Sequence, residues 1–217
     1  MSKTRIHLSL LAVAAIALLP ASALSADTIA YWPFGTNGFH DVSGNGHDLT
    51  STTVTESDAG YVTLNGTSQF LTTASALDLS GETAVTFECW TRVTGKNSGF
   101  GNLFSSSNPG ADQVGGFVVY YTGLLQAQFR IDSNNWQIDN SSGSVLGKID
   151  GASGDGMWHH VAYVIDRTKT NHTATRLYVD GVEVGVAAGT NSGSLPLFST
   201  VCSTSAAVPG MPRATTS

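Results

Sequence analysis

From residue 28 onward the chain alternates short apolar or β-branched runs with clusters of turn-forming residues. The runs are Thr28–Phe34, Tyr61–Leu64, Gln69–Thr72, Ala84–Val93, Phe117–Tyr121, Leu124–Ile131, Trp158–Ile165, Arg176–Val179 and Val182–Val186. Between them lie Ser43-Gly44-Asn45-Gly46, Asn65-Gly66, Asn108-Pro109-Gly110 and Asp180-Gly181. These residues tolerate positive φ, preset φ, or bond their own backbone. Asp180-Gly181 separates two runs by two residues, which predicts a tight hairpin with positive φ at both central positions. No stretch of 12 or more residues after residue 23 combines helical spacing of apolar positions with caps. The pattern predicts an all-β antiparallel sandwich with almost no helix.

Alternation assigns faces in two of the runs. In Ala84–Val93, Val85, Phe87, Cys89, Thr91 and Val93 share one face, and Ala84, Thr86, Glu88, Trp90 and Arg92 the other. In Trp158–Ile165, Trp158, His160, Ala162 and Val164 oppose His159, Val161, Tyr163 and Ile165. Neither face of that second run is plainly polar, as expected of a central strand covered on both sides.

The first residues follow a different rule. Lys3 and Arg5 precede an uncharged stretch, Leu8 to Leu19, and then Pro20-Ala21-Ser22-Ala23. That order reads as a secretory signal peptide over residues 1–23, with cleavage after Ala23 or Ala26. An uncleaved anchor is the competing reading, but the stretch is short against the roughly 20 residues of a membrane crossing. The product is expected to be secreted, extracellular or at the periplasmic or cell surface, with no membrane span once the signal is removed.

Composition narrows the function. The chain has 217 residues, a formal net charge of −6, 12% charged residues and 41% hydrophobic residues. That apolar fraction excludes a disordered chain, and the acidic balance excludes a nucleic-acid binder. Two cysteines exclude a disulfide-dense scaffold.

Six segments then form words in order. Ala30-Tyr31-Trp32-Pro33-Phe34 is followed by Asp41-Val42-Ser43-Gly44-Asn45-Gly46, and later by Leu64-Asn65-Gly66-Thr67-Ser68-Gln69-Phe70-Leu71. Next come Val85-Thr86-Phe87-Glu88-Cys89-Trp90, and Trp158-His159-His160-Val161-Ala162 with Leu177-Tyr178-Val179-Asp180-Gly181. In this order they resemble the laminin-G-like jelly roll of the concanavalin A-like lectin/glucanase superfamily. The resemblance implies an antiparallel jelly-roll β-sandwich over residues 28–200.

Asp41 and Asn45, in a glycine-rich loop, offer hard oxygen ligands of the kind that suit Ca²⁺. The resemblance adds that related modules often bind Ca²⁺ here, with an acidic residue near the C-terminal strand completing the site. The alternative is a turn whose Asp and Asn bond their own backbone. His159 and His160 point to opposite faces of one strand, so one buried, hydrogen-bonded histidine beside Trp158 is expected, not a zinc pair.

Glycoside hydrolysis needs two convergent carboxylates. Glu88 has Thr86 and Trp90 as its same-face flanks, where the superfamily's glucanases carry a pattern like E-x-D-x-E. No enzyme activity is therefore expected. The residues expected to display a ligand surface are Tyr120, Tyr121, Asp132, Asn134 and Trp136, in or after the 117–131 hairpin. Trp32, Trp90 and Trp158 are read as core. Asn65, Asn140 and Asn171 match the glycosylation pattern, which decides nothing in a Ser/Thr-rich chain.

Residues 201–217 lack strand pattern where the resemblance implies closing strands. A shifted reading frame from codon 201 accommodates a strand-like "LFYIGSRAGN", so an out-of-frame or truncated ending is expected, leaving an unpaired sheet edge. Cys202 is then no partner for Cys89, and no native disulfide is expected. The resemblance implies a secreted, non-catalytic binding module, for glycans and with Ca²⁺ as candidate cofactor. The alternative is a surface module contacting extracellular proteins, with a glycoside hydrolase behind both.

Overall fold

The computed structural model describes residues 27–51, 53–55, 59–65, 68–93, 101–106, 115–121, 125–130, 136–141, 156–170, 173–187 and 197. For residues 131–150 and 185–187 it describes backbone only where it describes anything. The expected signal segment, the 201–217 tail and Cys202 lie outside these residues. Among the described residues no helix is long and apolar enough to cross a membrane.

Among the described residues, eleven strands follow a 3₁₀ turn at Gly35–Asn37: β1 Leu49–Thr50, β2 Thr72–Thr73, β3 Ala84–Thr91, β4 Gly101–Ser105, β5 Phe117–Tyr121, β6 Leu125–Arg130, β7 Trp136–Ser141, β8 His159–Asp166, β9 Thr175–Val179, β10 Val182–Glu183 and β11 Gly185–Ala187. They form a four-stranded sheet in the order β10-β9-β8-β3, a five-stranded sheet in the order β11-β7-β6-β5-β4, and a small β1-β2 pair. Every described pairing is antiparallel. The fold is an all-β jelly-roll sandwich.

Period-2 alternation builds its core. Val85, Val161, Tyr163, Ile165, Leu177 and Val179 face inward from one sheet and Phe117, Val119, Tyr121, Leu125, Ala127 and Phe129 from the other, all buried. Phe87 of β3 stacks across the gap on Phe117, ring centroids 3.9 Å apart. Removing such an interlocked ring by Phe117→Ala would cost about 3–5 kcal/mol. Gly185 follows buried Val184, where the chain leaves one sheet for the other: β10 pairs β9 while β11 pairs β7.

The first run, 28–34, forms no strand. Its backbone is bonded by the next loop instead: Asn45 Nδ2 donates to the carbonyls of Thr28 and Ile29, and Val42 N donates to Tyr31 O. The run still packs inward through Ile29, Ala30 and Trp32. Tyr61–Leu64 is likewise irregular. Three strands fall outside the apolar runs: β1, β4 and β7. β4 carries a bulge between Asn102 and Phe104, which interrupts the alternation that would reveal it.

Candidate functional site

Because the odd-numbered residues of β3 and β8 fill the core, the even-numbered ones line the outer face of the four-stranded sheet. Trp90 stands opposite His160, and Glu88 opposite Ala162. Arg92 and Trp158, the next same-face residues, extend the row beyond β3 and before β8. Trp90 is 66% exposed and Trp158 40%, so neither is the core side chain that its apolar neighbours suggest. β3 is the outermost described strand of its sheet, and the His160 ring lies 5.4 Å from Trp90 on the outer face.

The other groups of this face gather around the two indoles. The Arg92 guanidinium lies 5.3 Å above the Trp158 ring, a cation–π contact. Tyr61, 39% exposed, meets Trp158 edge-on at 5.6 Å. His160 Nε2 lies 3.4 Å from Glu88 Oε2. Three exposed aromatic rings thus stand beside one guanidinium, one imidazole and one carboxylate, joined by pairwise contacts. Rings of this size in water are unfavourable to leave uncovered, and clustered exposed apolar surface marks a binding site. The flat faces suit an apolar ligand face, and the polar groups fix its orientation.

The neighbouring histidine does structural work. His159 is buried, and its Nδ1 lies 2.7 Å from Asp180 Oδ2, while Asp180 Oδ1 accepts the His160 N–H at 3.0 Å. Asp180 has φ 50° and Gly181 φ 78°, the two-residue turn that the hairpin requires. One carboxylate therefore ties the β9–β10 turn to the start of β8.

The Asp41 loop is also closed on itself. Asp41 Oδ1 accepts the N–H groups of Tyr31 and Ser43, both at 2.9 Å. Oδ2 accepts Ser43 Oγ at 2.8 Å and His47 N at 3.0 Å. Partial burial works to raise this carboxyl, but the backbone bonds from Tyr31, His47 and Ser43 and the Ser43 hydroxyl outweigh it and hold it down at about 2. A carboxylate offers about four lone-pair sites, and all four are filled. Asn45 turns its amide N–H groups to the chain. Among the described residues no three His, Cys, Asp or Glu side chains converge at metal distance. Asp41 and Asn45, as arranged, do not fit a Ca²⁺ site; they fit the alternative of a turn bonded to its own backbone.

A family model described as the concanavalin A-like lectin/glucanases superfamily, Laminin G 3, matches residues 65–203. The chain belongs to this laminin-G family. No curated protein matches the sequence. Among solved structures, this laminin-G module is similar to the binding domain of Paraclostridial Mosquitocidal Protein 1, with a TM-score of 0.63 and 16% identity over 84% of this chain and 44% of that one. It is similar to botulinum neurotoxin type C, which depends on two ganglioside molecules to get into cells (TM-score 0.57, 12% identity, 83% and 42% covered). It is also similar to the binding domain of botulinum neurotoxin DC in complex with rat synaptotagmin II (0.57, 12%, 86% and 45%). The module spans less than half the length of each, and at these identities the likeness is one of fold.

Of the module's expected ligand residues, only Tyr120 and Tyr121 have described side chains, and both are buried. Tyr121 is 2% exposed and belongs to the core between the sheets, which corrects its expected display. It shares the inward face with Phe117 and Val119; adjacent residues of a strand face opposite ways, so Tyr120 and Tyr121 never share a surface. Tyr120, on the other face of β5, is also buried, and Gln128 Nε2 donates to its hydroxyl. Asp132 and Asn134 lie outside the described residues, and Trp136 is described only as the first residue of β7. Exposed aromatics gather instead at Trp90, Trp158 and Tyr61; Tyr31 and Phe70 are also exposed. The signal for Trp90 is its parity with Thr86 and Glu88.

Proposed function

We propose that this chain is an exported, non-catalytic binding module whose ligand is a glycan, held on the outer face of the four-stranded sheet by Trp90, Trp158 and Tyr61. The observation that carries this reading is the 66% exposure of Trp90 in a row with Trp158 and the Arg92, His160 and Glu88 side chains. Sugar rings present flat C–H faces that stack on indoles, while their hydroxyls take bonds from guanidinium, imidazole and carboxylate. Glu88 pairs with His160, and its flanks along β3 are Thr86 and Trp90, so it serves as a hydrogen-bonding group and not as half of an acid pair. Two of the neighbours in fold are described with ganglioside or sialylated ligands, which supports a glycan as the first class to test.

The test is a glycan array followed by calorimetric titration of the strongest hits with wild type and Trp90→Ala. Stacking on one indole contributes on the order of 1–2 kcal/mol, so the variant weakens binding about tenfold while keeping its unfolding midpoint. Undiminished binding by the variant would reject the face.

A further inference from the structure

The outermost position of β3 has a second consequence. Gly156 N donates to Val93 O, and Arg167 N to Thr83 O, so odd-numbered residues along this strand turn their backbone groups toward β8 and the segments that flank it. The N–H and C=O groups of Ala84, Thr86, Glu88, Trp90 and Arg92 therefore point the other way, to an edge that no described strand covers. β3 is eight residues long, without proline or lysine, and such an edge is a template for another strand. On its inner face Phe87 and Cys89 are only half-buried, whereas Val161 and Tyr163, opposite Cys89 and Phe87 in β8, are fully covered.

We propose that β3 pairs antiparallel with β3 of a second copy of this chain about a two-fold axis at Trp90. The occupant is identified by charge. With the axis at Trp90, Glu88 stands opposite the partner's Arg92 and Arg92 opposite the partner's Glu88, on one face and at hydrogen-bonded positions. An axis at Glu88 opposes two carboxylates, and an axis at Cys89 leaves both charges without an opposite; like charges directly opposed destabilise a pair. In the Trp90 register the two indoles lie side by side, Phe87 meets the partner's Val93, and Cys89 meets the partner's Thr91. The half-covered inner side chains gain neighbours, and two four-stranded sheets become one. The same symmetry sets two aromatic faces in one surface, which gives a bivalent module.

The test reads oligomeric state without any ligand, so its failure leaves the glycan reading standing. Sedimentation equilibrium of the wild-type chain at micromolar concentration should give a dimer. Glu88→Arg and Arg92→Glu should each raise the dissociation constant by about tenfold or more, and the double swap should restore it. In a Cys202→Ser background, Thr91→Cys should give a covalent dimer through Cys89 on oxidation, a readout that survives if a charge variant folds poorly. A monomeric wild type, a double swap no better than its folded parents, or a Thr91→Cys chain that stays uncrosslinked would each overturn the proposal.

Discussion

Asp41 and Asp180 show what a single carboxylate does in a polar, loop-rich sandwich. Asp41 gathers four donors and fixes the 28–34 run against the loop that follows it. Its pKa is depressed in the folded chain, so its contribution is present above the unfolded carboxyl range and is lost as pH falls through about 4 to about 2. Discounted for solvent screening, that is about 1–2 kcal/mol. Asp41→Asn should lower the unfolding free energy at pH 7 by this amount and flatten the acid limb, measured by urea denaturation across pH. EDTA should leave the wild-type midpoint unchanged; a chelator-dependent drop would restore the metal reading. Asp180→Ala should cost about 2–3 kcal/mol, because it removes the carboxylate that bonds the buried His159 ring and the His160 N–H and removes a residue tolerant of positive φ, whereas Asp180→Asn should cost less than half of that. Trp90 was readable at this scale: its parity with Glu88 places it outward, and only the expectation that tryptophans fill cores hides it. Tyr121 shows the same lesson reversed, since parity with Phe117 and Val119 places it inward.

At the scale of elements, the long alternating runs of β3, β5, β6, β8 and β9 are legible because one face is apolar throughout. β4 and β7 are not: Gly101-Asn102-Leu103-Phe104-Ser105 is broken by a bulge, and Trp136-Gln137-Ile138-Asp139-Asn140-Ser141 has too few apolar positions. The 28–34 run has strand composition but finds its partners in a loop. A strand also shields its inward groups. Burial pushes the Cys89 thiol up to about 12, with the Glu88 charge adding to it. The folded module should therefore react at Cys89 with an aromatic disulfide reagent at pH 8 many-fold more slowly than the urea-unfolded chain does. Prompt labelling of Cys89 in the native chain would contradict the inward placement of its sulfur.

At the scale of the molecule, two sheets clasped by Phe87, Phe104 and Phe117 form a rigid support for one unusual surface. The family membership and the sandwich follow from ordered motifs that the sequence carries openly. The face does not, because it is assembled from Tyr61, residues 88–92 and residues 158–160, which only strand pairing brings together. If β3 joins a second copy, the face doubles and avidity for a repeating glycan follows without any new contact. The charge-swap pair tests that assembly independently of ligand. The aromatic face itself is tested most directly by titrating an array-selected glycan into wild type and Trp90→Ala, both verified as folded by their unfolding midpoints. The account predicts a tenfold or so weaker constant for the variant with an unchanged midpoint; equal affinities, or no glycan bound by wild type, would contradict it.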